Sequence, residues 1–315
     1  MNGWLPVARC TPQDCAAHPG TRRGPLPAAV LLAAGCLLTL LGVMCVPAVL
    51  LLRASRRDRL IRRWAYAVVR AFGVRVLVTG EPVGDRAGVR GESPVGELVV
   101  ANHVSWLDIP LVAAVLPGRM LAKKEIRDWP VLGPLAAIGG TLFIERDRLR
   151  SLPQAVSAVA QALRAGSRVV VFPEGTTRCG RGPGGRFGPA VFQAAIDAGA
   201  SVRPVRLGYR VTRRGPALTA GAPAVRAGPR GDRSAGRPCP SGGHGDHTGA
   251  VAFVGDDPLA ASLWRVVTAA GLTAEVRVLP PVPAAPGTGR GALARAAQKA
   301  VASDSAKRPA VSVHQ

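Results

Sequence analysis

The sequence predicts an α/β protein with a mostly parallel central sheet flanked by helices, preceded by an N-terminal transmembrane helix. Two observations lead to this fold class. From residue 74 onward, short apolar strand patterns alternate with helical patterns, which is typical of parallel sheets whose connections are helices. Before that point, residues 27–52 form a continuous apolar run without a charged side chain.

The alternation can be followed element by element. The predicted strands cover residues 74–78, 98–101, 120–122, 141–144, 168–172, 202–209, 250–254 and 274–279. The predicted helices cover residues 106–115, 131–138, 152–164, 189–198, 259–269 and 290–302. Residues 212–248 interrupt the pattern, because a segment dominated by Gly, Pro, Arg and Ala cannot bury enough apolar surface to order itself.

The apolar run has the length of a membrane span. As a helix it would extend about 39 Å, against roughly 30 Å for the hydrocarbon core of a bilayer. A cleaved signal peptide is the alternative, but such peptides have a shorter apolar core and a small-residue cleavage site. Arg22 and Arg23 lie just before the run and six arginines follow within eleven residues, so the positive-inside rule places residue 53 onward in the cytoplasm. The sequence therefore predicts a single-pass protein of the cell membrane with its main domain facing the cytoplasm.

These patterns divide the chain into seven parts. They are a polar N-terminal segment (residues 1–26), a transmembrane helix (27–52), a basic interfacial helix (53–73), a main domain (74–211), a low-complexity linker (212–249), the C-terminal part of the main domain (250–282) and a tail (283–315). The interfacial helix is amphipathic and arginine-rich, which suits anionic headgroups, although an ordinary surface helix would show the same pattern.

Charge and composition narrow the class of partner. A formal net charge of +22 implies an anionic partner, whether nucleic acid, an anionic membrane surface or a phosphorylated substrate. Nucleic-acid binding would require stacking platforms or a recognition motif, and aromatic residues make up only 4% of the chain. We therefore expect no nucleic-acid partner.

The cysteines and histidines do not predict a metal site. None of the six cysteines forms a CxxC pair or lies at zinc spacing from a histidine, so they are interpreted as small hydrophobic residues without disulfides. His244 and His247 could bind a metal, but a flexible polar linker is the simpler interpretation. We expect no metal and no bound cofactor.

The candidate site begins at the stretch Asn102-His103-Val104-Ser105-Trp106-Leu107-Asp108. An apolar strand pattern precedes it and a helical pattern follows, so His103 is predicted at a strand-to-helix corner that opens into a cleft. A histidine with a carboxylate five residues later can act as a general base, because the carboxylate fixes the tautomer and stabilises the imidazolium.

Four blocks in this order resemble the glycerolipid acyltransferases, the lysophosphatidic acid acyltransferase family. Asn102, His103 and Asp108 are similar to its NHxxxxD motif. Residues 140–146 resemble its GxxFIxR block, residues 172–178 its FPEGTTR block, and residues 202–205 its short proline-containing strand. The glycine-rich residues 180–188 depart from the family, whose members often carry basic residues there.

The resemblance implies a glycerol-3-phosphate acyltransferase-like fold and a membrane-bound O-acyltransferase. It would move a fatty acyl chain from acyl-CoA or acyl-carrier protein to a lysophospholipid hydroxyl, and the favoured reaction converts 1-acylglycerol 3-phosphate to phosphatidic acid. His103 and Asp108 would be catalytic, and transfer would be direct rather than through an acyl-enzyme on Ser105. The implied substrate-binding residues are Arg146, Glu174, Gly175, Thr176, Thr177 and Arg178.

Two alternatives remain open from the sequence. The acceptor could be another lysolipid, such as a lyso-ornithine lipid, in which case Arg146 would bind a carboxylate or nothing. The chain could instead be a non-catalytic basic protein of the membrane surface, although such a protein has no chemical need for the His103–Asp108 pair.

Overall fold

A computed structural model describes the chain in a series of ranges separated by gaps. The described residues are 10–16, 20–81, 95–128, 133, 136–137, 139–145, 149–180, 184–211, 248–285 and 287–306. Arg146, nearly all of the predicted linker and most of the helix predicted at residues 131–138 lie outside them.

The described strands form one sheet. They are β1 (Arg75–Gly80), β2 (Leu98–Ala101), β3 (Arg119–Lys123), β4 (Leu142–Ile144), β5 (Val169–Val171), β6 (Val202–Val211) and β7 (Leu272–Val278). Their order is β1-β7-β6-β2-β5-β3-β4, and every neighbouring pair is parallel except β6 and β7. The predicted fold class, a mostly parallel sheet flanked by helices, is confirmed.

The helices precede the sheet or cover its faces. They are α1 (Pro12–Cys15), α2 (Pro25–Met44), α3 (Val46–Leu50), α4 (Ala54–Ala71), α5 (Asp108–Val115), α6 (Leu152–Arg164), α7 (Ala190–Ala198), α8 (Leu259–Thr268) and α9 (Arg290–Ala306), with short 3₁₀ turns at Lys124–Asp128 and Leu149–Ser151.

Strand β2 shows why the sheet is buried on both faces. Its side chains alternate between two hydrophobic clusters: Val99 and Ala101 face the cluster that includes α4, α5 and α8, while Leu98 and Val100 face the cluster that includes α6, α7 and α9. Leu98, Val99 and Val100 have no solvent exposure. A continuous apolar run without polar alternation is what a parallel strand covered by helices on both sides requires.

Helices α2 and α4 form an antiparallel hairpin at the N-terminus. The indole N–H of Trp64 in α4 donates to the carbonyl of Leu38 in α2 at 3.0 Å. Gly35 and Gly42 allow this close packing, because a side chain at either position would collide with Phe72 or Trp64. The apolar run is not the single 26-residue helix that we predicted. It breaks at Cys45, and Pro47 lies in the first turn of the short helix α3, which begins at Val46.

Both ends of this hairpin lie against the sheet domain. The backbone N–H of Arg23 donates to Thr268 at 2.7 Å, and its guanidinium donates to carbonyls of Val267, Ala269 and Gly73. Arg23 precedes α2, whereas Gly73 follows α4, so the chain leaves and re-enters the domain at one place. A single crossing by α2 would place Arg23 and Gly73 on opposite sides of the membrane, and the predicted single pass stays a prediction.

Two predictions about the C-terminal part also need correction. Residues 250–254 are mostly buried but form a turn and irregular backbone instead of a strand, and the backbone of Phe253 bonds to Val104 and Thr177. The predicted tail includes α9, which packs on β6 and α7 with Leu293 and Ala297 almost fully buried. Helix α9 is thus part of the domain.

Candidate active site

The site lies at the carboxyl end of β2, between β6 and β5. Asn102 is the first residue beyond β2. Its side-chain amide donates to the carbonyl of Leu207 at 3.0 Å, and its amide oxygen accepts from the Leu207 N–H at 2.8 Å. The Asn102 side chain therefore continues the β2–β6 pairing after the main chain has turned away. This contact fixes where the loop carrying His103 starts.

His103 and Asp108 are in contact, as the sequence predicts. Nδ1 of His103 lies 2.8 Å from Oδ2 of Asp108, which is fully buried at the start of α5. The same oxygen accepts from the backbone N–H groups of Val104 at 2.6 Å and Ser105 at 2.8 Å. Three donors on one oxygen, together with the positive end of the α5 dipole, stabilise the carboxylate.

Tyr209 holds the other oxygen of this carboxylate. Its hydroxyl donates to Oδ1 of Asp108 at 2.5 Å. Complete burial, followed by the neighbouring Asp108 charge, raises the pKa of Tyr209 well above its usual value. The phenol therefore stays protonated and can donate to the Asp108 carboxylate. No local pattern in the sequence indicates this role, because Tyr209 is separated from Asp108 by 101 residues.

Stacking fixes the plane of the His103 ring. The ring of Phe172 lies almost parallel to it, at 16° and with a centroid distance of 4.2 Å. With Nδ1 directed at Asp108, the remaining nitrogen, Nε2, belongs to the part of the ring that lines the open cleft. The imidazole is one-fifth exposed while its carboxylate partner has no exposure. This arrangement suits a general base that can reach a bound substrate while the carboxylate that orients it is shielded from water.

Glu174 and Arg178 form the polar wall of the same cleft. Glu174 is 4% exposed, and its Oε2 lies 3.2 Å from Nε of Arg178. Burial raises the pKa of Glu174, and a backbone hydrogen bond from Gly185 and the Arg178 charge partly oppose that rise. The Arg178 backbone N–H donates to the His103 carbonyl at 2.8 Å, which joins the two motif loops directly.

The remaining predicted binding residues have different positions. Gly175 takes a positive φ of 73° that turns the chain after Phe172. The Thr177 hydroxyl donates to the carbonyl of Phe253, so it fastens the loop to residues 250–254 instead of facing the cleft. Thr176 lies between them and is partly buried. Of the predicted binding residues that are described, Glu174 and Arg178 line the cleft.

Other cleft residues come from elements that no motif marked. Arg206 and Gly208 lie on β6, and Gln298 and Val301 lie on α9. The helical pattern of residues 290–302 predicted α9 itself, but no feature of the sequence indicated that it returns to the site.

Comparisons with known proteins agree with this arrangement. Residues 88–208 match the family model described as Acyltransferase. The chain is 34% identical over 247 residues to a lyso-ornithine lipid O-acyltransferase of Pseudomonas aeruginosa, covering 78% of each protein. It is 48% identical over 120 residues to a 1-acyl-sn-glycerol-3-phosphate acyltransferase of Neisseria gonorrhoeae, covering 38% of this chain. That match spans about half, 46%, of the length of the Neisseria protein.

The fold is also similar to a solved structure. The crystal structure of the 1-acyl-sn-glycerophosphate (LPA) acyltransferase PlsC from Thermotoga maritima superimposes with a TM-score of 0.59 at 17% identity, covering 91% of this chain and 99% of that one. The two proteins thus share a fold over almost their whole lengths. With the motif order, the family match and the long alignment to the Pseudomonas protein taken together, this chain belongs to the acyltransferase family.

Proposed function

We propose that the protein transfers a fatty acyl group from a thioester to the hydroxyl of a lysolipid. The observation that carries the proposal is the His103–Asp108 pair at 2.8 Å, in which His103 lines a cleft that Glu174 and Arg178 also line. Acyl transfer to an alcohol needs a base for the hydroxyl and polar groups that hold the acceptor. This cleft offers both.

In the proposed reaction, Nε2 of His103 takes the proton of the acceptor hydroxyl while the oxygen of that hydroxyl attacks the thioester carbonyl carbon. The tetrahedral intermediate then collapses, the carbon–sulfur bond breaks, and the leaving thiolate takes the proton from the imidazolium. While the His103 ring carries the proton, the negative charge of Asp108 stabilises the positive charge of the imidazolium. The products are an ester and a free thiol, and no electron donor or acceptor is consumed.

A direct transfer agrees with the position of Ser105. Its side chain has no solvent exposure, and its hydroxyl oxygen accepts from the backbone N–H of Leu107 at 3.3 Å. A nucleophilic serine must reach both a base and the substrate carbonyl. Ser105 is fully buried within the loop, so the nucleophile in our proposal is the acceptor's own hydroxyl.

Glu174 and Arg178 are proposed to bind the polar part of the acceptor. Oε2 of Glu174 and Nε of Arg178 are buried and form an ion pair at 3.2 Å, but neither atom makes a hydrogen bond of good geometry among the described residues. A buried polar atom that lacks a hydrogen bond costs about 1–3 kcal/mol unless a ligand or water supplies one. A glycerol hydroxyl and an anionic oxygen are the complementary groups.

The favoured acceptor is 1-acylglycerol 3-phosphate, giving phosphatidic acid. Its support is the identity to the Neisseria protein and the cationic groups of the cleft, Arg178 and Arg206. Arg146, outside the described residues, is proposed as a further phosphate ligand. A lyso-ornithine lipid is the second candidate, favoured by the longer alignment to the Pseudomonas protein. The donor in either case is acyl-CoA or acyl-carrier protein, since both present a thioester.

A panel of acceptors distinguishes these substrates. We expect membranes containing the full-length protein to esterify 1-acylglycerol 3-phosphate with labelled acyl-CoA or acyl-carrier protein. Arg146→Ala should then raise KM for this acceptor roughly 10- to 100-fold, equivalent to about 1.5–3 kcal/mol, because one charge-assisted contact is lost. The KM for the donor should barely change.

The matched control is Arg150→Ala, which removes a nearby exposed arginine and should leave both KM values unchanged. Equal changes for donor and acceptor in Arg146→Ala would instead identify a structural arginine. Selective labelling of a lyso-ornithine lipid would replace the favoured acceptor with the second candidate.

We also propose that the α2–α4 hairpin anchors the protein to the cytoplasmic face of the cell membrane. Helix α2 is the described helix that is long and apolar enough to cross a membrane, and most of its apolar surface faces outward. Leu26, Leu37 and Met44 are each more than two-thirds exposed. Arg56, Arg59 and Arg63 are exposed on α4, where anionic headgroups would pair with them. A hairpin with one apolar helix and one basic helix, both ends of which contact the same domain, is suited to entering the bilayer from one side.

The side of the N-terminus tests this anchor. We expect tags placed before Met1 and after Gln315 to be digested together by protease added to inside-out vesicles, and to be protected together in intact spheroplasts. The physical reason is that Arg23 and Gly73 meet on the same face of the domain. Digestion of one tag and protection of the other would show that the chain crosses the membrane once.

A further inference from the structure

Three buried cysteines meet beside the cleft, and they come from distant parts of the chain. Cys10 and Cys15 lie at either end of the short segment that contains α1, and Cys179 directly follows Arg178. Their sulfur atoms all lie within 4.8 Å of one another. They are 8%, 1% and 3% exposed, and Ala252 and Val254 complete the cluster.

This spacing fits the coordination shell of a thiophilic metal ion. A zinc–thiolate bond is about 2.3 Å long, which places the sulfurs of a trigonal or tetrahedral site about 3.8–4.0 Å apart. Three sulfurs at most 4.8 Å apart need to move inward by about half an ångström to reach that shell. A disulfide would join two of the three sulfurs and leave the third without a role.

The N-terminal segment itself supports a role beyond simple packing. In residues 10–16, all of them described, the buried residues are the two cysteines and Ala16. Helix α1 has four residues, with Thr11 as its N-cap, and is too short to be stable by itself. A metal ion is one of the usual ways in which so small a unit is fixed to a larger domain.

We propose that Cys10, Cys15 and Cys179 form a three-thiolate site for a thiophilic d¹⁰ ion, Zn²⁺ in particular. The ion would fasten the N-terminal segment to the loop that carries Arg178. Binding converts three thiols and Zn²⁺ into a complex of net charge −1 with release of three protons, and a water molecule takes the fourth position. The net negative charge is placed in a chain whose formal charge is +22.

The site is structural and acts next to the cleft. Cys179 lines the cleft wall with Arg178, whose backbone N–H donates to the His103 carbonyl. Fixing the Cys179 sulfur therefore restrains the loop that joins the two motifs. The site requires residues 10–16 on the same side of the membrane as the domain, which agrees with the contacts of Arg23. It does not depend on which lysolipid is acylated.

Co²⁺ substitution and metal analysis test the site on the full-length protein in detergent micelles under reducing conditions. We expect one Zn²⁺ per chain, and on replacement by Co²⁺ a thiolate-to-metal charge-transfer band in the near ultraviolet with intense visible bands. Hydrogen exchange in residues 10–16 should slow on metal loading. Cys10→Ser and Cys179→Ser should each lose the charge-transfer intensity and bind metal at least tenfold more weakly.

The matched control replaces the cysteines outside the cluster, Cys36, Cys45 and Cys239, with serine. This variant should bind metal as the unaltered chain does. Because Cys10 lies outside the sheet, the metal-free Cys10→Ser variant should unfold at the same temperature as the metal-free unaltered chain. This comparison separates loss of metal from misfolding. The absence of bound metal in the reduced protein would overturn the proposal. So would equal metal binding by the cluster variants, or loss of metal only in the control variant.

Discussion

Replacing His103 with alanine is expected to lower kcat by roughly 10²- to 10⁴-fold, the usual contribution of a general base. The proposed mechanism gives this ring both proton transfers, to and from Nε2, and no other described residue of the cleft duplicates that geometry. Binding of acceptor and donor should survive, because Glu174 and Arg178 are untouched. Steady-state kinetics on the purified enzyme, with direct binding of a lysolipid, measure the two effects separately.

Ser105→Ala is the matched control for this experiment. Ser105 lies two residues away on the same loop, and its hydroxyl accepts one hydrogen bond, from Leu107. Its loss should cost on the order of 1 kcal/mol of stability and leave substantial activity. An inactive Ser105→Ala, with an acyl group trapped covalently on the unaltered enzyme, would overturn direct transfer.

The second large effect is expected from Asp108→Asn, with a loss in kcat on the order of 10²- to 10⁴-fold. Asparagine is nearly isosteric, and its amide oxygen can still accept from the N–H groups of Val104 and Ser105, so the fold should be retained. It carries no charge, so it cannot stabilise the imidazolium of His103. Circular dichroism and thermal unfolding check the fold, and kcat measures the loss.

Tyr209→Phe provides a graded comparison, because it removes the donor to Oδ1 but leaves the Asp108 charge in place. Its kcat should fall by much less than that of Asp108→Asn. Because His103 and Asp108 act as a unit, the double variant His103→Ala/Asp108→Asn should be little worse than His103→Ala. Additive losses in the double variant would mean that Asp108 acts independently of His103.

Local patterns determined much of the fold. The bounds predicted for β2 and α6 match the structure, because an uninterrupted apolar run and a 3.6-residue periodicity are properties of the segment itself. The His103–Asp108 contact was also predictable, since five residues across a strand-to-helix corner bring the two side chains together. The Glu174–Arg178 pair follows in the same way from one short loop.

Long-range pairing explains where prediction failed. Residues 250–254 are apolar enough for a strand, but the backbone of Phe253 bonds instead to Val104 and Thr177, two loop residues distant in the sequence. The apolar run at residues 27–52 has the composition of a membrane span. Whether it crosses or returns depends on where Arg23 binds, and its partners are about 245 residues further along the chain.

The sequence alone thus determined the family, the strand–helix alternation and the candidate base with its carboxylate, because each is encoded within a few consecutive residues. Only the tertiary structure decided that Tyr209 holds Asp108, that α9 lines the cleft and that Cys10 and Cys15 meet Cys179. These contacts join residues more than 100 positions apart. They exist only after the sheet order is set, since strand order and helix packing determine which distant side chains share one cavity.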